Sequence, residues 1–451
     1  MGFTSLIFLG FFPIVFIIYL LIPSGGRALW LLAASYLFCM SFGVKYALVL
    51  LISTLGTWAA GLALERLKNH SSRKWLLAAA ILLHVFLLCF FKYDSRNPVL
   101  PVGISFYTFQ AIGYLADILQ GRAKAERNII YFGLFQAFFP KLVQGPIERS
   151  HDLLEQLRSL PSVNLPDPDR IREGGLLLLW GLFQKLMIAD RLAIPVNAVY
   201  RQFGAFGGVE ILLATVLYAF QIYCDFAGYT SMARGIARIC GIELTENFRR
   251  PYLAISVRDF WRRWHISLSS WLRDYVYIPL GGSRRGLLRK YVNVMLTFVV
   301  SGIWHGTGFH FLLWGCMHGA AQLLETGFQK LPKWLRRIGV LCFLTASWMV
   351  FRVNSLGDLK GMLRILITDP YLRDLNGMEL GGLEWLLVAV GILLVIGKDL
   401  LNERGISIRA WLALRRWPLR ALIYTALLSG IIIFGVYGGA YDTSQFLYTQ
   451  F

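Results

Sequence analysis

The chain has 451 residues, is 56% hydrophobic and 15% aromatic, and carries only 16% charged residues, where soluble domains carry about a quarter. Apolar stretches recur along its whole length, which excludes an ordinary soluble domain and makes it an integral membrane protein. The formal net charge of +19 fits basic loops between spans facing anionic membrane lipids, not a nucleic-acid partner.

In chain order, the apolar stretches include Ser5–Ile22, Trp75–Phe91, Val209–Tyr223, Tyr291–Trp304, Trp385–Ile396 and Leu422–Val436. About 10 to 12 helical spans fit, some of them short or broken, at roughly 20 residues each. No stretch alternates like a β-barrel strand, so the predicted fold class is an all-α, multi-span membrane protein. The first stretch lacks a basic leader and a small-residue cleavage site and reads as a retained span. Arg66, Lys68, Arg73 and Lys74 put the loop Arg66–Lys74 in the cytoplasm. Asn128–Gly145 is apolar but interrupted by Gln136, Pro140, Lys141 and Gln144, so it either spans or enters and returns. Residues 146–173, with four prolines among charged residues, read as an extramembrane loop. A single membrane domain is expected: N-terminal spans over 1–119, a core over 120–353, and a charged connection with further spans over 354–451. The six cysteines lie in apolar runs without a CxxC pair and read as packing residues.

Chemistry concentrates in the core. His265, His305, His310 and His318 fall in a segment dense in Arg, Trp and Gly, and an ionisable group at membrane depth marks a functional site. His70 and His151 lie in charged loops, and His84 reads as a packed, hydrogen-bonded residue. Val257, Trp261, Trp264, Leu268, Leu272 and Tyr275 recur at helical spacing, predicting one amphipathic helix over Val257–Tyr275 with His265 turned inward. His305 ends the run Tyr291–Trp304, which covers only about 21 Å as a helix, and is followed by Gly306-Thr307-Gly308. That link reads as a broken helix or a tight reversal inside the protein, presenting His305 to a polar cavity. Asp225, between an apolar run and small residues, predicts a buried partner such as an arginine or a backbone N–H, most simply in a structural ion pair. No HExxH, paired acidic ligands or i, i+4 histidine pair is present, so no metal is expected. A nucleophile elbow and a P-loop are equally missing.

The strings PVGISFYTFQ (Pro101–Gln110), FPKLVQGPI (Phe139–Ile147), YCDFAGY (Tyr223–Tyr229), NFRRPY (Asn247–Tyr252) and DFWRRWHISL (Asp259–Leu268) resemble the membrane-bound O-acyltransferase family, closest to its bacterial alginate O-acetylation branch. So do WLRDY (Trp271–Tyr275), IPLGG (Ile278–Gly282), GIWHG (Gly302–Gly306), WGCMHG (Trp314–Gly319) and FLYTQF (Phe446–Phe451). The resemblance implies a helical core with broken or re-entrant helices around a central tunnel. It makes His305 the catalytic general base and His265 a second histidine beside the tunnel, leaving open which of them moves the proton. Trp304, Arg258, Arg262, Asp225 and His318 are the further candidates for lining the tunnel or binding substrate. The implied donor is acetyl-coenzyme A or another acyl thioester, with no bound cofactor. The implied acceptor is an exported polysaccharide or a secreted esterase-like partner, reached from a multi-pass position in the cytoplasmic (inner) membrane. A lipid or polysaccharide-precursor transporter and a non-catalytic scaffold are the competing readings; the former would leave movement of substrate intact without His305.

Overall fold

The computed structural model describes residues 1–93 and 101–437, so the final string Phe446–Phe451 lies outside the described residues. All regular structure among these residues is helical. They pack as two compact units, one from Met1–Trp180 and Tyr229–Glu246, the other from Gly181–Gly228 and residues 247–437.

The first unit opens with α1 (Leu6–Leu21), α2 (Arg27–Met40), α3 (Val44–Arg66), α4 (His70–Tyr93) and α5 (Ile104–Leu119). Ser5 caps α1 by accepting from the Phe8 N–H, a donor that has no partner within the helix. Phe8, Phe38 and Phe139 pack with Phe3, whose ring stacks on Tyr229 at 4.8 Å. His84 on α4 meets the Thr57 hydroxyl of α3 at 3.0 Å, the packed and hydrogen-bonded state expected of it. The segment Asn128–Gly145 folds as two short helices, α6 (Ile129–Ala137) and α7 (Phe139–Leu142), and neither is long enough to span. Its break falls at Phe138, just ahead of Pro140, which has no N–H to continue the α6 ladder. Lys141 turns inward and donates to the Gln110 side-chain oxygen at 2.6 Å. Residues 146–173, read above as loop, contain the amphipathic α8 (Ser150–Ser159) and the start of α9 (Pro168–Leu182).

In the second unit a π-helical turn, Phe183–Ala189, leads into α10 (Asp190–Arg201). Then come α11 (Gly208–Ile239), which belongs to this unit as far as Gly228 and to the first from Tyr229, α12 (Val257–Arg263), α13 (Ile266–Leu272), α14 (Leu287–His305), α15 (Phe309–Leu324) and α16 (Lys333–Arg352). The chain continues through α17 (Leu356–Thr368), α18 (Gly382–Glu403), α19 (Ile408–Ala413) and α20 (Trp417–Phe434). Among the described residues five helices, α3, α4, α11, α16 and α20, are long and apolar enough to cross a bilayer. The rest of the apolar sequence is cut into shorter pieces. Buried residues make up 78% of the apolar window of α11 but only 6% of that of α20. The exposed leucines and isoleucines of α20 are in a favourable setting only against lipid.

One expectation is overturned. Val257–Tyr275 is not a single helix: α12 ends at Arg263, His265 takes a left-handed backbone conformation (φ +43°), and α13 starts at Ile266. The cause lies outside the segment. The Asn247 backbone oxygen accepts from Ile266 N–H at 3.0 Å, its side-chain oxygen accepts from Ser267 N–H at 3.1 Å, and the Arg263 carbonyl accepts from Arg249 N–H. These contacts supply partners for helix-end groups. They offset the cost of placing a non-glycine residue at positive φ, on the order of 1 kcal/mol. A second π-helical turn, Arg273–Tyr277, follows α13.

Candidate active site

The site grows from the hairpin of α14 and α15. Its link is Gly306-Thr307-Gly308, as the glycine-flanked reversal predicts. Gly302 and Gly315 let the two backbones touch. A Cβ on Gly302 would stand 2.5 Å from the Phe311 carbonyl oxygen, and one on Gly315 would strike the Phe298 carbonyl. This close approach holds His305, the last residue of α14, at 2% exposure. Around its ring lie Trp304 at 4.7 Å, Trp314 at 5.0 Å, Phe351 at 5.1 Å and Phe311 at 6.5 Å.

A cavity of about 450 Å³ opens beside this hairpin. On α14 its wall is the stripe Lys290, Val294, Thr297, Phe298 and Ser301, at the three- and four-residue spacing of one helix face. The next position on that face is His305. Arg258, Trp261 and Arg262 of α12 line it too, with Arg273 and Ser269. No acidic side chain is among the lining residues. Arg273 is paired to Asp274 at 2.8 Å and Arg258 lies 3.7 Å from Glu325. The acidic residue nearest Arg262 in sequence, Asp259, is paired instead to Arg263 at 2.9 Å. The wall therefore combines cations and hydroxyls with aromatic and aliphatic surface, which suits a ligand with both an anionic and a less polar part.

The structure brings some of the predicted residues together and leaves others apart. Arg258 and Arg262 line the cavity; His305, His265, Trp304 and His318 do not. His305 stands one turn beyond Ser301, and His265 four residues before Ser269, so each histidine adjoins a serine of the wall. On α14 the residues lining the cavity run as far as Ser301. His265 is buried, its ring perpendicular to Phe226 at 4.6 Å. His318 is fully buried behind Trp261 and Phe298. His310, at the start of α15, packs on Phe311 at 4.1 Å.

Asp225 makes the buried ion pair expected of it, but with a lysine. Lys185 Nζ lies 2.6 Å from Asp225 Oδ1 and 2.8 Å from Asp190 Oδ1. All three side chains are at most 3% exposed. Lys185 sits on the π-helical turn, next to Gly228 of α11. Neither Lys185 nor Asp190 was singled out from the sequence. The available signal was an ionisable pair, Lys185 and Asp190, inside the apolar run Leu176–Leu192.

The comparisons with known proteins agree with the resemblance. The model of the membrane-bound O-acyltransferase family matches residues 75–351. A probable alginate O-acetylase AlgI of Pseudomonas putida is 34% identical over 414 residues, covering 85% of this chain and 84% of that protein. A peptidoglycan O-acetyltransferase of Helicobacter pylori is 30% identical, covering 84% and 80%. A teichoic acid D-alanyltransferase of Streptococcus thermophilus is 26% identical, covering 69% and 79%. The helical membrane architecture, the Trp-His-Gly hairpin and these relatives converge: the chain is a multi-pass O-acyltransferase of the membrane-bound O-acyltransferase family.

Proposed function

We propose that the protein transfers an acyl group, acetyl in the first instance, from a cytoplasmic thioester to a hydroxyl of an exported polysaccharide or a secreted partner protein. It would do so in the cytoplasmic membrane, with His305 as general base. The observation that carries this reading is the α14 stripe: a cavity with basic walls whose lining advances along one helix face to Ser301, a turn from His305. The acetyl group is favoured because the 34% and 30% identical relatives are named for O-acetylation, whereas the D-alanyl relative stands at 26%. Those relatives are named for alginate, peptidoglycan and teichoic acid, which supports a polymer hydroxyl as acceptor.

The chemistry needs little else. The phosphates of coenzyme A, or of a carrier-bound arm, suit Arg262 and Lys290, while the arm lies along Val294, Phe298 and Ser301. His305 takes the acceptor's O–H proton as its oxygen adds to the thioester carbonyl. The tetrahedral oxyanion then collapses, the C–S bond breaks, and the departing thiolate takes the proton back from His305. The aromatic shell keeps water from competing for the acyl group.

Nanodisc-embedded protein with radiolabelled acetyl-coenzyme A and an alginate oligosaccharide tests this. His305→Ala should lower transfer by about 10²–10⁴. Arg262→Gln and Lys290→Gln should each raise the donor KM about tenfold while largely sparing kcat, the loss of one charged hydrogen bond. Transfer at the wild-type rate by His305→Ala would refute the assignment.

A further inference from the structure

His318 is the last of the four histidines of this region, and a hydrogen bond from its neighbour constrains its chemistry. The Trp261 indole N–H donates to its Nδ1 at 3.2 Å. An indole nitrogen only donates, so Nδ1 carries a lone pair and the ring proton sits on Nε2. That leaves His318 neutral and with its basic nitrogen already engaged, which removes it as a second general base. The ring is held on every side by aromatics: Phe298 and Phe260 lie nearly parallel to it, at 6.1 and 6.5 Å. Phe343 is edge-on at 5.0 Å, and Trp314 is tilted against it at 4.8 Å.

Trp314 is the connection to the reaction. The same indole that leans on His318 stands perpendicular to the His305 ring, at 5.0 Å and 88°. Trp261, at the other end, is part of the cavity wall. One row of side chains thus runs from the wall through Trp261, His318 and Trp314 to His305. Within it the Trp261 indole N–H donates to His318 Nδ1. A phenylalanine would fill the place of His318 sterically, so packing alone does not account for an imidazole there.

We propose that His318 is a positioning residue for acyl transfer: held in one tautomer by Trp261, it sets the Trp314 indole against His305 and so fixes the orientation of the base. This rests on the His305 reading above.

The test compares His318→Phe, His318→Asn, Trp261→Phe and His305→Ala in nanodiscs, with acetyl-coenzyme A and the same oligosaccharide. Nitrogen-15 NMR of ring-labelled histidine should show the Nε2–H form for His318, lost in Trp261→Phe. His318→Phe should lower kcat about tenfold with the donor KM nearly unchanged, as misorientation of a catalytic group does. His318→Asn should recover most of that loss, because its side-chain oxygen occupies the place of Nδ1. Trp261→Phe should lower kcat to a similar extent, and the double variant with His318→Phe should be no worse, the non-additivity of two residues acting as one. An Nδ1–H signal, equal impairment of His318→Asn and His318→Phe, or a loss confined to KM would overturn the proposal. Turnover that survives His305→Ala would sink the underlying reading and this one with it. A silent His305→Ala beside equal His318 variants would sink this one alone.

Discussion

At the scale of single residues, buried charge is the feature with the largest energetic stake. Lys185 faces two carboxylates in a site almost without solvent, where an uncompensated charge is far more costly than a lost pair. Lys185→Met should therefore destabilise the protein by about 3–5 kcal/mol. The triple change Lys185→Met with Asp190→Asn and Asp225→Asn should recover much of that, as read by thermal unfolding in detergent. Glu403 offers a milder case beyond the apolar stretch of α18. Hydrogen bonds from Arg263, at 3.0 and 3.2 Å, with Arg250 beside it, hold its carboxyl below the usual range. A depressed carboxylate contributes stability that is present above its unfolded pKa and is lost as pH falls through the lowered folded value. Unfolding temperature should drop on acidification, and Glu403→Gln should flatten that acid limb. Asp225 was legible in the sequence as a buried charge, but its partner was not: Lys185 lies 40 residues earlier, and no local pattern announces a pairing across helices.

At the scale of elements, the α14–α15 hairpin was legible and the break at His265 was not. Gly306-Thr307-Gly308 marks its own reversal, because glycines flank an uncharged link between two apolar runs. Helical periodicity, by contrast, continues unbroken from Val257 to Tyr275, and only the distant Asn247 interrupts it. Tertiary contacts override periodicity there. Asn247→Ala should free the Ser267 N–H and cost about 1–3 kcal/mol, the price of a buried unsatisfied donor. The hairpin makes its own prediction through the glycines at its contact. Gly302→Ala and Gly315→Ala should each cost about 1–3 kcal/mol by overpacking against backbone and should slow transfer as His305 shifts. Gly430→Ala, where a Cβ meets nothing within 4 Å, should be neutral or slightly stabilising.

At the scale of the whole molecule, membrane residence and family were legible because hydropathy and short motifs are local properties of the chain. The dimensions of the cavity were not, since its wall draws on α12, α13, α14 and α15 together. Arg284, Arg285 and Arg289 flank that wall in sequence, and the positive-inside rule predicts a cytoplasmic position for this basic connection. In a background without native cysteines, a cysteine at Arg285 should react with a membrane-impermeant thiol reagent only after right-side-out vesicles are opened. The rings surrounding His305 also bear on what happens between catalytic events. On the proposed reading, an enzyme loaded with donor but lacking a recipient should hold its cargo unhydrolysed, because aromatic rings crowd solvent away from His305. The pace of acceptor modification should then follow the supply of acceptor, a dependence that donor hydrolysis without acceptor would contradict.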